Sequence, residues 1–196
     1  LHAPLVWLLV PSWLYLGLMT REFFARRWLK AHPIVYLASH MLILPLIDLY
    51  ATACDWLVVG ERTAHVGLLW FLVVSYLNGI VIEIGRKTRV GADEEHGVET
   101  YSALWGKHGA ARAWLLAILL TAAAAWEAAS QIDLAVPTVF MLGGLIVACV
   151  AVARRFLRNA NRGGGQAIEV MAGVWTLLMY LGLGAAPMAL TLWQGA

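Results

Sequence analysis

Six stretches of this chain stay apolar for about the 20 residues that a bilayer-crossing helix needs, and most of its charges collect between them. They run over Pro4–Thr20, Ile34–Val58, Val66–Ile84, Ala111–Ala129, Leu134–Ala153 and Ile168–Trp193, here spans A to F. None shows the two-residue alternation of a half-buried strand. The pattern therefore predicts an all-α fold, a polytopic transmembrane helix bundle with residues 1–196 as a single transmembrane domain. Span A is short, and Phe23 and Phe24 are expected to extend it into the interface. Pro11, Pro45, Pro137 and Pro187 fall inside spans or near their starts, which lipid-embedded helices tolerate when neighbours satisfy the freed carbonyl.

The basic residues give an orientation. Loop A–B holds Arg21, Arg26, Arg27 and Lys30. Loop C–D and its flank hold Arg86, Lys87, Arg89, Lys107 and Arg112. Loop E–F holds Arg154, Arg155, Arg158 and Arg162. Of the 14 Lys and Arg, only Arg62 falls outside these three connections. Positive charge is retained on the cytoplasmic side, so these loops are expected there, in a membrane of the bacterial inner type, with both chain ends outside.

Composition agrees. Of 196 residues, 61% are apolar and 13% charged, with a mean hydropathy of +0.73. Soluble domains carry about twice that share of charge. The ten Trp and six Tyr suit the membrane interface, and membrane lipid is the expected surround. A net charge of +2 gives no case for nucleic acid. Cys54 and Cys149 lie in different spans and form no metal or redox pattern. Close helix packing is expected at Gly143, Gly144 and Ala148 on span E and at Gly182 to Ala186 on span F. The Gly163–Gly165 run reads as a flexible turn.

Candidate chemistry gathers in and beside loop C–D, the longest connection, from about Gly85 to Ala110. It mixes Arg86, Lys87 and Arg89 with Asp93, Glu94, Glu95, His96 and Glu99. Carboxylates that hold Mg²⁺ beside cations that hold phosphate oxygens would make a site for a phosphorylated ligand. A merely solvated loop has the same composition. Asn78 and Glu83 lie in the inner half of span C, where polar groups are costly and often functional. An interhelical hydrogen bond accounts for Asn78 as well, and a pair with Lys87 at i+4 accounts for Glu83. Asp48 is deep in span B. It must be protonated or partnered, so it marks either a proton or cation pathway or a packing contact with another helix. Glu169 is expected in the first turn of span F, where the helix dipole favours an acid.

Asn78-Gly79-Ile80-Val81-Ile82-Glu83-Ile84-Gly85-Arg86, followed by Gly97-Val98-Glu99-Thr100 and Gly106, resembles the second Asp-rich region of the UbiA superfamily of intramembrane prenyltransferases. That region typically reads Asn-Asp-x-x-Asp-x-x-Gly-Asp, then Gly-x-x-Thr and a short run ending in Gly. Tyr15, followed by Thr20-Arg21, and the basic run from Arg154 to Arg162 also resemble family features. On this resemblance span C is the family's sixth helix and spans A to F are its fourth to ninth. The first three helices and the first Asp motif are then expected upstream of Leu1. The family's Asp positions fall here on Gly79, Ile82 and Arg86, with Glu83 one position away, so the chain resembles a divergent member. The resemblance implies transfer of an isoprenyl group from an isoprenyl diphosphate donor with Mg²⁺ as cofactor. It places Asn78 and Glu83 in the catalytic site, Arg21, Arg86 and Lys87 on the diphosphate, and Glu83, Asp93 and Glu94 on the metal. A transporter or permease-like protein, or a non-catalytic lipid-binding one, fits the same composition.

Overall fold

Each apolar stretch becomes helical, and the helices break where the backbone cannot continue them. The computed structural model describes residues 3–58, 66–90, 100–158 and 162–194. Helix α1 spans Ala3–Thr20. Glu22, Phe23 and Phe24 then take φ of +48°, +52° and +56°, a short left-handed turn. Such a conformation costs a non-glycine residue roughly 1–2 kcal/mol. The two phenylalanines therefore do not extend α1. Phe23 is turned back between Tyr15 and His40, with ring centroids 5.3 and 5.8 Å away.

Span B is split. After the short α2 (Arg26–Ala31), α3 runs over Pro33–Met41 and α4 over Ile43–Trp56. Pro45 has no N–H to offer the Met41 carbonyl, and its ring crowds that carbonyl, which explains the break between them. Helix α5 (Val66–Arg86) is unbroken. Helix α6 (Tyr101–Ser130) starts ten residues before its expected apolar run. The Thr100 hydroxyl caps it, accepting from Ala103 N at 3.2 Å. Gly106, at φ +68°, kinks it.

Helices α7 (Ala135–Arg158) and α8 (Arg162–Tyr180) follow. The chain then widens into a π-helical segment, Leu181–Ala185, before α9 (Ala186–Gln194). In that wide turn Ala186 N–H donates to Leu181 O, five residues back. Pro187, which lacks an N–H, stands just beyond. Because α8 begins at Arg162, Gly163–Gly165 are helical rather than a flexible turn, and Glu169 lies eight residues into the helix rather than in its first turn.

Helices α5 and α6 form the centre, with α8, α4 and α3 against α5 and α7 against α6. The largest buried side chains, Trp114, Trp175 and Phe156, lie on α6, α8 and α7. The alanine-rich face of α6, including Ala110, Ala117 and Ala125, is buried too. Helix α1 packs on α4 at the edge and leaves Trp7 76% and Trp13 67% exposed. Water disfavours such a surface, and lipid does not. Six helical stretches are long and apolar enough to cross a membrane, and no strand occurs among the described residues.

Close backbone approach occurs at other glycines than the expected pair on span E. Gly143 and Gly144 have nothing within 4 Å of an added Cβ. On Gly85 such an atom would meet Ala172 Cβ at 2.7 Å, and on Gly165 it would meet Thr88 O at 2.8 Å. Gly182 does pack closely, with Met141 Cε 3.1 Å from the same construction.

Candidate functional site

The end of α5 carries Glu83 and Arg86, Lys87 follows directly after it, and the helix repeat brings the three together. Residues three and four apart are neighbours on a helix surface. Glu83 accordingly meets Arg86 and Lys87 at once. Arg86 Nη2 donates to Glu83 Oε2 at 2.6 Å, and Lys87 Nζ lies 2.8 Å from Oε1. The Glu83 side chain is 11% exposed, so this is a desolvated pair on the lysine side and an open one toward Arg86, whose side chain is 57% exposed.

Aromatic rings lie beside one of the two cations. Lys87 Nζ is 5.9 Å from the ring centroids of both Tyr36 on α3 and Tyr101 on α6. That is within the range of a cation–π contact. Tyr101 stacks on Trp105, and Tyr36 stacks on His40. Through Phe23 and Tyr15 the rings continue to α1. Tyr36, Tyr101 and Trp105 did not stand out in the sequence, because Tyr and Trp at helix ends read as generic interface anchors.

The connection from α5 to α6 is tied at its base. Tyr101 N–H donates to Lys87 O at 2.9 Å, and Arg89 N–H donates to the Ser102 hydroxyl at 3.1 Å. Arg89 Nη2 also reaches Glu169 Oε2 on α8 at 2.7 Å. Lys107 Nζ lies 3.5 Å from Leu157 O on α7. These contacts, with the Lys87–Tyr36 pair, put the three basic connections at one end of the bundle.

The other candidates separate. Arg21 is exposed, two residues before Phe23, and among the described residues no salt bridge or hydrogen bond joins it to Arg86 or Lys87. Asp93 and Glu94 lie outside the described residues. Asn78 faces the bundle interior at 1% exposure, and neither end of its amide meets a hydrogen-bond partner among the described residues. Asp48 has a partner from another helix: the Tyr180 hydroxyl lies 2.8 Å from its Oδ2 and 3.2 Å from the Ser75 hydroxyl.

The donor set bears on the metal that the resemblance implies. Mg²⁺ takes near-octahedral oxygen coordination, usually with one or two carboxylates and substrate phosphates. Among the described residues no group of three or more His, Cys, Asp or Glu stands together. Glu83 is a single carboxylate with both oxygens already held by cations. The described residues alone therefore do not fit a Mg²⁺ site. What they offer is two cations on one carboxylate, with Lys87 beside two tyrosine rings, at the basic end of an apolar bundle.

The chain matches no family model, no curated protein and no solved structure.

Proposed function

We propose that this is a membrane-embedded, prenyltransferase-like protein that moves an isoprenyl group from a diphosphate donor to an acceptor. The observation that carries this reading is Lys87, held between Tyr36 and Tyr101 beside Arg86 at the basic end of an apolar bundle. An isoprenyl diphosphate has the matching form, an anionic head on an apolar tail. The membrane placement rests on the six apolar helices, and the cytoplasmic side is assigned to the basic end.

Arg86 and Lys87 are the contacts for the head group. Charge-assisted hydrogen bonds of this kind are about twice as strong as neutral ones. Glu83 holds both cations in place and offsets one of their charges, so a doubly charged head group would have to draw at least one of them away from it. In the transfer itself the bond from the allylic carbon to the diphosphate oxygen breaks, and its electron pair leaves with the diphosphate. The acceptor then bonds the carbon and loses a proton. Ring faces such as those of Tyr36 and Tyr101 stabilise a nearby cation. A permease-like protein is the second reading, and the Asp48 carboxylate deep in α4 favours it.

Binding of an isoprenyl diphosphate to the protein in lipid nanodiscs tests the proposal, with and without Mg²⁺. Arg86→Gln and Lys87→Gln are each expected to weaken binding about tenfold or more, corresponding to the roughly 1.5–3 kcal/mol of a charge-assisted hydrogen bond. Wild-type protein that binds no donor under either condition, or variants that bind as wild type, would overturn it.

A further inference from the structure

We propose that the basic end of α7 and the groove between α7 and α8 form a binding site for one anionic phospholipid. The site goes beyond the transfer reading and needs no step of it. Helix α7 has two faces. Leu142, Cys149 and Phe156 are buried in the bundle. Val136, Phe140, Val147, Ala151, Arg154 and Arg158 recur at steps of three, four and seven, so they share the opposite face, and all six are exposed. The outward surface therefore turns from apolar to cationic without leaving that face. From Val136 to Arg154 is about 27 Å of helix. A hydrocarbon core is roughly 30 Å thick. The arginines thus begin where lipid phosphates lie rather than out in water.

These cations have no anion of their own. Helix α7 carries no Asp or Glu. Glu83 is taken up by Arg86 and Lys87, and Glu169 on α8 by Arg89. Among the described residues no salt bridge reaches Arg154, Arg155 or Arg158. The negative end of the α7 dipole favours cations here, but its half charge does not neutralise three. With Ala151 the three arginines line a surface depression of about 530 Å³. A guanidinium offers paired N–H groups in the geometry that two phosphate oxygens accept.

The groove supplies the place for a chain. It is a second depression, of about 390 Å³, whose lining includes Val152 on α7 and Ala167, Val170 and Val174 on α8, with Gly163 at its basic end. Gly163 to Val174 is about 16 Å along α8. One leaflet's hydrocarbon is half the core, roughly 15 Å. Val152 lies one turn before Arg155, so the two depressions adjoin along α7. A soluble anion would use the arginines and leave the groove. A zwitterionic lipid would fill the groove and bring its own cation to the arginines. An anionic phospholipid satisfies both.

Native mass spectrometry of the full chain in detergent, titrated with phosphatidylglycerol or phosphatidylcholine, tests this without any isoprenyl donor. It therefore stands or fails separately from the transfer reading. The first phosphatidylglycerol is expected to bind roughly tenfold tighter than phosphatidylcholine, or more. Arg154→Gln, Arg155→Gln and Arg158→Gln should each weaken it about fivefold, the worth of one basic residue beside anionic lipid. The combined Arg26→Gln, Arg27→Gln and Lys30→Gln variant removes as much charge from the first basic connection and should leave it unchanged. Ala167→Trp fills the groove with every charge in place and should cost affinity severalfold. Equal binding of the two lipids, an equal loss in the Arg26, Arg27 and Lys30 control, or indifference to Ala167→Trp would overturn the site. So would displacement of the lipid by glycerol phosphate, the head group without chains, which would make the arginines a site for a soluble anion.

Discussion

At Gly165 only a hydrogen separates α8 from the Thr88 carbonyl, and the backbone there cannot give way as a side chain can. A Cβ at Gly165 would sit 2.8 Å from Thr88 O, whereas a Cβ at Gly143 meets nothing within 4 Å. Gly165→Val is therefore expected to destabilise by about 1–3 kcal/mol, the usual cost of overpacking a tight site, while Gly143→Ala stays near neutral. Thermal unfolding in detergent measures both, and equal melting temperatures would contradict the assignment. Asn78 invites the opposite experiment. Its amide is buried without a hydrogen-bond partner among the described residues, and unmet buried polar groups cost about 1–3 kcal/mol each. Asn78→Leu should keep or raise the melting temperature and yet impair donor binding or transfer. Full activity in that variant would remove Asn78 from the site. Its inward direction was legible from the sequence, because an amide facing lipid has nothing to bond. Tyr180 was not legible as the partner of Asp48. Their contact spans 132 positions, and nothing local to either residue encodes it.

The helices themselves were largely legible, since apolar length is a direct physical requirement for crossing lipid. Their ends and breaks were less so. Span B contains Pro45, but tolerance of proline in lipid does not say how the helix yields, and here the hydrogen-bond ladder is interrupted at Leu42 while the backbone stays helical, so that Pro33–Trp56 remains one span. The glycine run at 163–165 carries turn chemistry, yet its glycines let α8 start early and press against Thr88 O. Helix packing outweighed local preference there. The same early start carries Glu169 toward Arg89, across from the base of the α5–α6 connection. With side chains 27% and 39% exposed, that pair is partly screened. A double-mutant cycle with Arg89→Ala and Glu169→Ala is expected to give a coupling of about 0.2–1 kcal/mol, the range for exposed ion pairs. A coupling of zero would mean that Gly165 and its neighbours, rather than the ion pair, hold α8 to this connection.

Across the whole molecule, charge and packing select the same end. Lys87 on α5 lies over Tyr36, close after the first basic connection, while Arg89 and Lys107 reach α8 and α7 on either side of the third. Arg154, Arg155 and Arg158 are exposed there, around a surface depression of about 530 Å³. The opposite end holds the turn Gln131–Asp133, without a Lys or Arg. Moving this asymmetry across a bilayer the other way would carry thirteen basic residues with it, and short loops rich in Lys and Arg are retained in the cytoplasm. The proposed orientation accordingly has Gly163 inside and Gln131 outside. Cysteine labelling reads it directly once Cys54 and Cys149 are replaced by alanine. Both test positions are exposed, and Gly163 has nothing within 4 Å of an added Cβ, so a cysteine fits there without strain. A membrane-impermeant maleimide on intact cells is expected to label Gln131→Cys readily. It should label Gly163→Cys only after the membrane is opened. The reverse pattern would place the Lys87–Arg86 cluster on the outer side, away from any diphosphate supplied by the cytoplasm, and would remove the proposed donor along with the orientation.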